Sequence, residues 1–211
     1  MTARDVSEFV GSVQFNEDRH EYTVAGLIVP SVTQVLGDLT IMKRLDPALL
    51  KVARERGRRV HKACDLFDRG VLDEASLDEI DEPYVRAWKR FKQDHEFEWE
   101  LGERPMSSEK WGYAGTPDAI GNWRQKRRRP RVLVERKTGA FDPVHGPQTA
   151  AYLQLLHEED LVDRIDYVDR VAVYLQPNGF YQIERLQDEG DWSHFVAALT
   201  VHRFKDRHGL L

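Results

Sequence analysis

Val132-Leu133-Val134-Glu135-Arg136-Lys137 is an apolar run that ends in three charged side chains. The run reads as a buried strand, residues 131 to 137, because β-branched residues pack well in a sheet interior. Alternate residues of a strand point to one face and lie about 7 Å apart. Glu135 and Lys137 are therefore expected side by side, with Arg136 turned away. Unpaired charge on a buried strand is expensive. A metal ion would stabilise Glu135 there, and a neighbouring carboxylate would keep Lys137 charged. Upstream, Gly115-Thr116-Pro117-Asp118 supplies a second carboxylate from the preceding strand, where glycines let backbone approach a ligand closely. A lone Asp after Pro is usually a turn residue. With Glu135 downstream, metal ligation is the preferred reading of Asp118. Downstream, Gln148 and Tyr152 lie four apart on one helical face and reach the same surface. Paired carboxylates beside a fixed cation form a layout for metal-assisted hydrolysis.

The flanking sequence alternates between periods. Val13 to Val29 reads as two short strands with turn signals at Asn16-Glu17-Asp18 and Ala25-Gly26. Thr33 to Leu39 reads as a short helix. A longer helix starts at Asp46-Pro47, where Asp caps and Pro suits the first turn, and ends near Gly70. Gly57 is expected to weaken or bend it. Another helix starts near Glu82-Pro83, with Tyr84, Trp88 and Phe91 on one face. Phe97 to Glu103 and Trp111 to Trp123 read as strands, and Gly146-Pro147 opens a helix. Tyr167 to Leu175 and Phe180 to Leu186 form a hairpin across Pro177-Asn178-Gly179. Asp191 to Arg207 closes the chain as an amphipathic helix. The expected fold is α/β, a mixed sheet with helices on both faces. At 211 residues the prior is one domain, with strands and helices in 1–95 and a catalytic core in 96–211.

Composition narrows the class of function. The single cysteine, Cys64, excludes an internal disulfide framework and a cysteine-based zinc site. The opening Met1-Thr2-Ala3-Arg4-Asp5 lacks the apolar core of a secretory leader. No apolar run approaches the roughly 20 residues that span a membrane. A soluble, cytoplasmic protein is expected. The net charge is −5, yet its distribution matters more, because a polyanion meets one face of a protein. Acidic residues gather from Asp73 to Glu82 and at Asp94, Glu96, Glu98 and Glu100, and basic ones from Lys51 to Lys62. Residues 124 to 131 hold six cations between two strands that carry the candidate site. This run reads either as a solvated hairpin loop or as a phosphate-contacting edge in which Arg127, Arg128 and Arg129 touch phosphates.

Together these residues resemble the PD-(D/E)xK nuclease superfamily, and within it the RecB-like exonuclease branch. The resemblance rests on Pro117-Asp118, Glu135-Arg136-Lys137 and Gln148-Thr149-Ala150-Ala151-Tyr152 in the family's order. It extends to Gly57-Arg58-Arg59-Val60-His61-Lys62-Ala63, similar to an early helical His motif, and to Pro30-Ser31-Val32-Thr33-Gln34-Val35-Leu36. About residues 28 to 157 are covered. The resemblance implies a restriction-endonuclease-like core with an N-terminal helical elaboration. It also implies Mg²⁺ or Mn²⁺ held by His61, Asp118, Glu135 and the Arg136 carbonyl. Lys137 would orient water or stabilise charge at phosphorus, Gln148 would help position Lys137 or the phosphate, and Tyr152 would line the site. The implied activity is a DNA exonuclease that leaves 5′-phosphates, in recombination, repair or phage DNA processing. The iron–sulfur cluster of many relatives needs four cysteines, which this chain lacks.

Each role has a plainer alternative. A lone helical His is more often a surface or core residue than a ligand, and Gln148 and Tyr152 also suit ordinary helix packing. Glu135 and Lys137 also read as a surface pair at a strand end. Glu103 has no motif to single it out, although some relatives use an extra acidic ligand. Trp111, Tyr113 and Trp123 read as core residues before base-stacking ones. A structure-selective or sequence-specific endonuclease would use the same core. The other alternative is a non-catalytic DNA-binding subunit of a recombination complex. A homo-oligomer stays open.

Overall fold

The computed structural model describes residues 13–16, 19–41, 46–124 and 129–211. Strands β1 (Val13–Asn16), β2 (Glu21–Val24) and β3 (Leu27–Val29) form an antiparallel three-stranded sheet. The sequence led us to expect two strands here. Three form because the two-residue turn Ala25-Gly26 reverses the chain and pairs Val24 with Leu27. Helix α1 (Val32–Leu36) starts at a capping box, in which Ser31 Oγ accepts from the Gln34 amide and Gln34 Oε1 from the Ser31 amide. Helix α2 (Pro47–Asp68) is capped by Asp46, which accepts from Ala48 and Leu49. It runs unbroken through Gly57, contrary to the expected weak point, since packing of its Val60, Ala63 and Cys64 outweighs local propensity. Helix α3 (Glu82–Asp94) follows as expected.

Strands β4 (Glu98–Leu101), β5 (Met106–Ser108), β6 (Tyr113–Gly115), β7 (Ala119–Asn122) and β8 (Arg131–Lys137) come next. Helix α4 (His145–Glu158), the hairpin β9 (Val168–Leu175) and β10 (Tyr181–Arg185), and helix α5 (Asp191–Arg207) complete the chain. The main sheet has the order β10-β9-β8-β7-β4, and among the described residues β5 pairs with β6 alone. Within the main sheet only β8 and β9 are parallel, as a strand pair joined through a helix can be. The stretch Trp111 to Trp123, expected as one strand, is broken between β6 and β7 at Thr116-Pro117-Asp118. Pro117 has no N–H for a ladder, so the chain passes from one sheet to the other there.

Strand alternation sorts the core into two layers. Val132, Val134, Val171 and Val173 pack under α2 and α3 with Val60, Trp88 and Phe91. Leu133 and Ile120, on the opposite face, pack with α1, α4 and α5 through Val35, Leu155 and Phe195. The fold is therefore α/β with a mixed sheet between helices. Among the described residues no helix is long and apolar enough to cross a membrane.

Candidate functional site

Asp118 is the last residue before β7, buried at 5 % exposure. Its Oδ2 accepts from the Arg136 backbone N–H at 2.6 Å, which ties the start of β7 to the end of β8. Its Oδ1 lies 3.0 Å from His61 Nδ1. His61 is brought there by α2, whose neighbouring Val60, Ala63 and Cys64 are anchored in the core. Glu103, just past β4, joins them: its Oε1 is 3.9 Å from His61 Nδ1, and its amide donates to the Pro117 carbonyl at 2.9 Å. Its φ of 49° is in the left-handed region, a strained conformation for a residue with a side chain. His61, Glu103 and Asp118 each bring one ligand atom within 4.8 Å of the others. Sequence reasoning did not single out Glu103. The only signal was an acidic residue beyond a strand end, and its meaning depends on the β4–β7 register.

Glu135, Lys137, Gln148 and Tyr152 form the adjoining half. Glu135 Oε1 accepts from Lys137 Nζ at 2.8 Å and from Gln148 Nε2 at 2.7 Å. Lys137 also donates to Gln148 Oε1 at 3.1 Å, and Gln148 Nε2 donates to Tyr152 Oη at 3.2 Å. The Gln148 amide thus spends its acceptor and both donors holding the lysine, the glutamate and the tyrosine in register. Close approach of α4 requires glycine at position 115, since a Cβ there would lie 2.6 Å from Tyr152 Cε1. Glu135 Oε2 is buried and has no hydrogen-bond partner among the described residues.

Arg136 turns to the opposite face, as alternation requires, but not into empty protein. Its guanidinium, fully buried, donates to Glu103 Oε1 at 2.8 Å, the Asp118 carbonyl at 3.0 Å and Asp68 Oδ2 at 3.2 Å. It also lies 5.2 Å from the Trp88 ring centre. It holds Glu103 while leaving the Glu135 side of the sheet to Lys137.

The electrostatics are those of a carboxylate cluster short of positive charge. Burial pushes the Asp118 carboxyl up, but His61, Arg136 and Lys137 outweigh it and hold it at about 2. Burial and the Asp118 charge push Glu135 up to about 7 in spite of Lys137. The same two causes raise Glu103 against the pull of Arg136 and His61. Burial works against a charged His61, yet the Asp118 carboxylate raises it above its ordinary value. An orphaned buried oxygen on Glu135, and two carboxyls raised by burial and by the Asp118 charge, fit a divalent cation. Oxygen donors with one imidazole suit Mg²⁺ and Mn²⁺.

The basic run is placed differently. Arg129 pairs with Glu96 at 3.2 Å and with Glu98, Arg124 with Glu96, and Arg131 with Glu100. Arg124, Arg129 and Arg131 thus lie against the acidic group Glu96, Glu98 and Glu100. Arg127 and Arg128 lie outside the described residues. Tyr113 and Trp123 are core residues: Tyr113 Oη donates to the Ala151 carbonyl at 2.9 Å and Trp123 Nε1 to Asp169 at 3.1 Å. Trp111 meets Trp192 edge to face. Cys64 is fully buried and its thiol is pushed up to about 12, which removes it from thiolate chemistry.

No protein-family model matches the chain, and no curated protein matches it.

Proposed function

We propose that this chain is a divalent-metal-dependent nuclease with a restriction-endonuclease-like core, similar to the RecB-like branch of the PD-(D/E)xK superfamily. Its proposed activity is exonucleolytic, on DNA, leaving 5′-phosphates. The observation that carries the reading is the meeting of two sets of residues across β7 and β8. His61, Asp118 and Glu103 converge on one side, and Glu135 presents an unpartnered oxygen beside a pinned Lys137. The main sheet also supports it, with the antiparallel strands β4, β7 and β8, the crossover helix α4 and the parallel strand β9.

His61, Asp118, Glu103, Glu135 and the Arg136 carbonyl would hold Mg²⁺ or Mn²⁺. The bound ion would polarise the phosphate and lower the pKa of a water molecule. The remaining work belongs to side chains. Lys137 is held in place by its hydrogen bonds to Glu135 and Gln148 and stabilises the negative charge that develops on the phosphoryl oxygens. Gln148 fixes where that ammonium points, and Tyr152 closes the wall behind it. Glu103 adds to the ligand set expected from the sequence, and Arg136 keeps it in place.

Digestion of end-labelled linear and circular DNA, single- and double-stranded, with Mg²⁺, Mn²⁺ or EDTA tests the reading. Degradation of linear DNA from its ends with either cation, none in EDTA, and intact circles are expected. Cut circles would make the enzyme an endonuclease. No metal-dependent cleavage of any form would sink the reading.

A further inference from the structure

Helix α2 carries six Lys and Arg residues between Lys51 and Lys62. Two of them are engaged: Arg56 donates to the Thr138 carbonyl at 2.9 Å and Arg59 to Asp81 at 2.5 Å. Lys51, Arg54, Arg58 and Lys62 are exposed and have no hydrogen bond or ion pair among the described residues. At about 100° per residue these four fall within about 80° of one another, and Arg54 lies about 20° from His61 round the helix. They form one stripe, and Glu55 at its edge pairs with none of them. On α3, by contrast, Arg86 donates to Glu82, while Lys89 and Arg90 pair with Glu74 and Asp94. Like charges four apart, as in Arg54 with Arg58 and Arg58 with Lys62, destabilise a helix. A solvated face gains nothing from that repulsion, whereas a bound polyanion relieves it.

The stripe borders the candidate site. On the adjoining side of α2, Gly57 faces Thr138, one residue beyond Lys137, and His61 lies 3.0 Å from Asp118. From Lys51 to Lys62 the helix rises about 16 Å, the axial length of four to five phosphates of one B-form strand. We infer that this stripe binds the phosphate backbone of DNA as it runs to the site. The inference rests on the proposed nuclease function and names the surface that delivers its substrate. Charge complementarity carries it, with four exposed, unpaired cations gathered on one helix of a chain whose net charge is −5. Arg124, Arg129 and Arg131, in the other basic run, are already taken up by carboxylates. Contacts of this kind position DNA without reading its sequence.

The test measures binding of fluorescein-labelled DNA, duplex and single-stranded, in Ca²⁺ over a range of salt. Cleavage of the same DNA in Mn²⁺ is followed in parallel. A triple variant, Lys51→Gln, Arg54→Gln and Arg58→Gln, leaves Lys62 beside His61 in place and keeps helix-forming residues. It should flatten the dependence of log affinity on log salt by about 0.9 per lost contact on duplex and about 0.7 on single strands. Its maximal cleavage rate should hold, while the DNA concentration for half-maximal rate rises. The control removes the same charge from α3 with Arg86→Gln, Lys89→Gln and Arg90→Gln, and should leave the slope unchanged. Arg54→Lys with Arg58→Lys keeps the charge and should keep the wild-type slope. A slope unaltered by the α2 variant, an equal fall with the α3 variant, or a wild type that binds neither form of DNA overturns the inference. Binding that depends on the stripe without any cleavage upholds it and removes the nuclease reading instead.

Discussion

Lys137 donates to Glu135 at 2.8 Å and to Gln148 at 3.1 Å, and a charged ammonium is not a metal ligand. Its part is therefore separable from that of Asp118, whose buried carboxylate faces His61. Lys137→Ala should lose cleavage by several orders of magnitude while still binding Mn²⁺. Asp118→Ala should lose both, because a hard cation depends on carboxylate oxygens. Calorimetry with Mn²⁺ and cleavage assays on the same preparations measure this. Normal cleavage by Lys137→Ala, or Mn²⁺ binding lost as fully as in Asp118→Ala, would contradict the division. The Glu135–Lys137 and Gln148–Tyr152 pairs were legible in the sequence because spacings of two and four residues fix neighbours within one strand or helix. The partners of Arg136 were not, since alternation says only which face a residue leaves.

Arg136 shows how one side chain couples elements. It joins Asp68 at the end of α2, Glu103 beyond β4 and the carbonyl of Asp118 before β7, and it packs on Trp88 of α3. Removing one partner from a buried ionic network leaves uncompensated charge, typically at a cost of about 3–5 kcal/mol. Arg136→Ala should destabilise the chain by that order, read as a lower midpoint in urea. A loss below about 1 kcal/mol would mean that the network is dispensable. At this scale the sequence was read well where local signals are strong. Asp46 caps α2, and Arg131–Lys137 and Asp191–Arg207 form the expected strand and helix. It was read less well at Trp111 to Trp123, where two short strands in different sheets mimic one strand broken by Pro117.

Among the described residues, Arg124, Arg129 and Arg131 are paired with carboxylates at and just before β4. Arg129 is committed to Glu96 and Glu98. Each phosphate contact on duplex DNA contributes about 0.9 to the slope of log affinity on log salt. Arg129→Ala is accordingly expected to leave that slope unchanged. A drop of that size would show that the arginine leaves its carboxylates for DNA. Global stability should also depend on His145, buried at the start of α4, 2.8 Å from Tyr174 Oη. Burial, helped by Lys137, lowers its pKa from 6.5 to about 3. The unfolded chain then binds a proton that the folded one refuses, so the contribution is complete above pH 6.5. It is lost as pH falls toward 3, by about 1.4 kcal/mol for each unit. His145→Gln should flatten the fall of urea stability between pH 6.5 and 4. Parallel curves for the two proteins would rule out this source.

What the sequence by itself determined was local. It set the strand that ends in Glu135 and Lys137, the helix that presents Gln148 and Tyr152, and the alternation that makes a mixed sheet with helices on both faces. These follow from side-chain period, caps and turn residues, which act within a few positions. The tertiary structure alone decided that His61 meets Asp118 across 57 positions, that Glu103 enters the site and that Arg129 faces carboxylates. Those juxtapositions depend on strand register and on where α2 docks. Both are set by the packing of the whole core, and no short segment contains it.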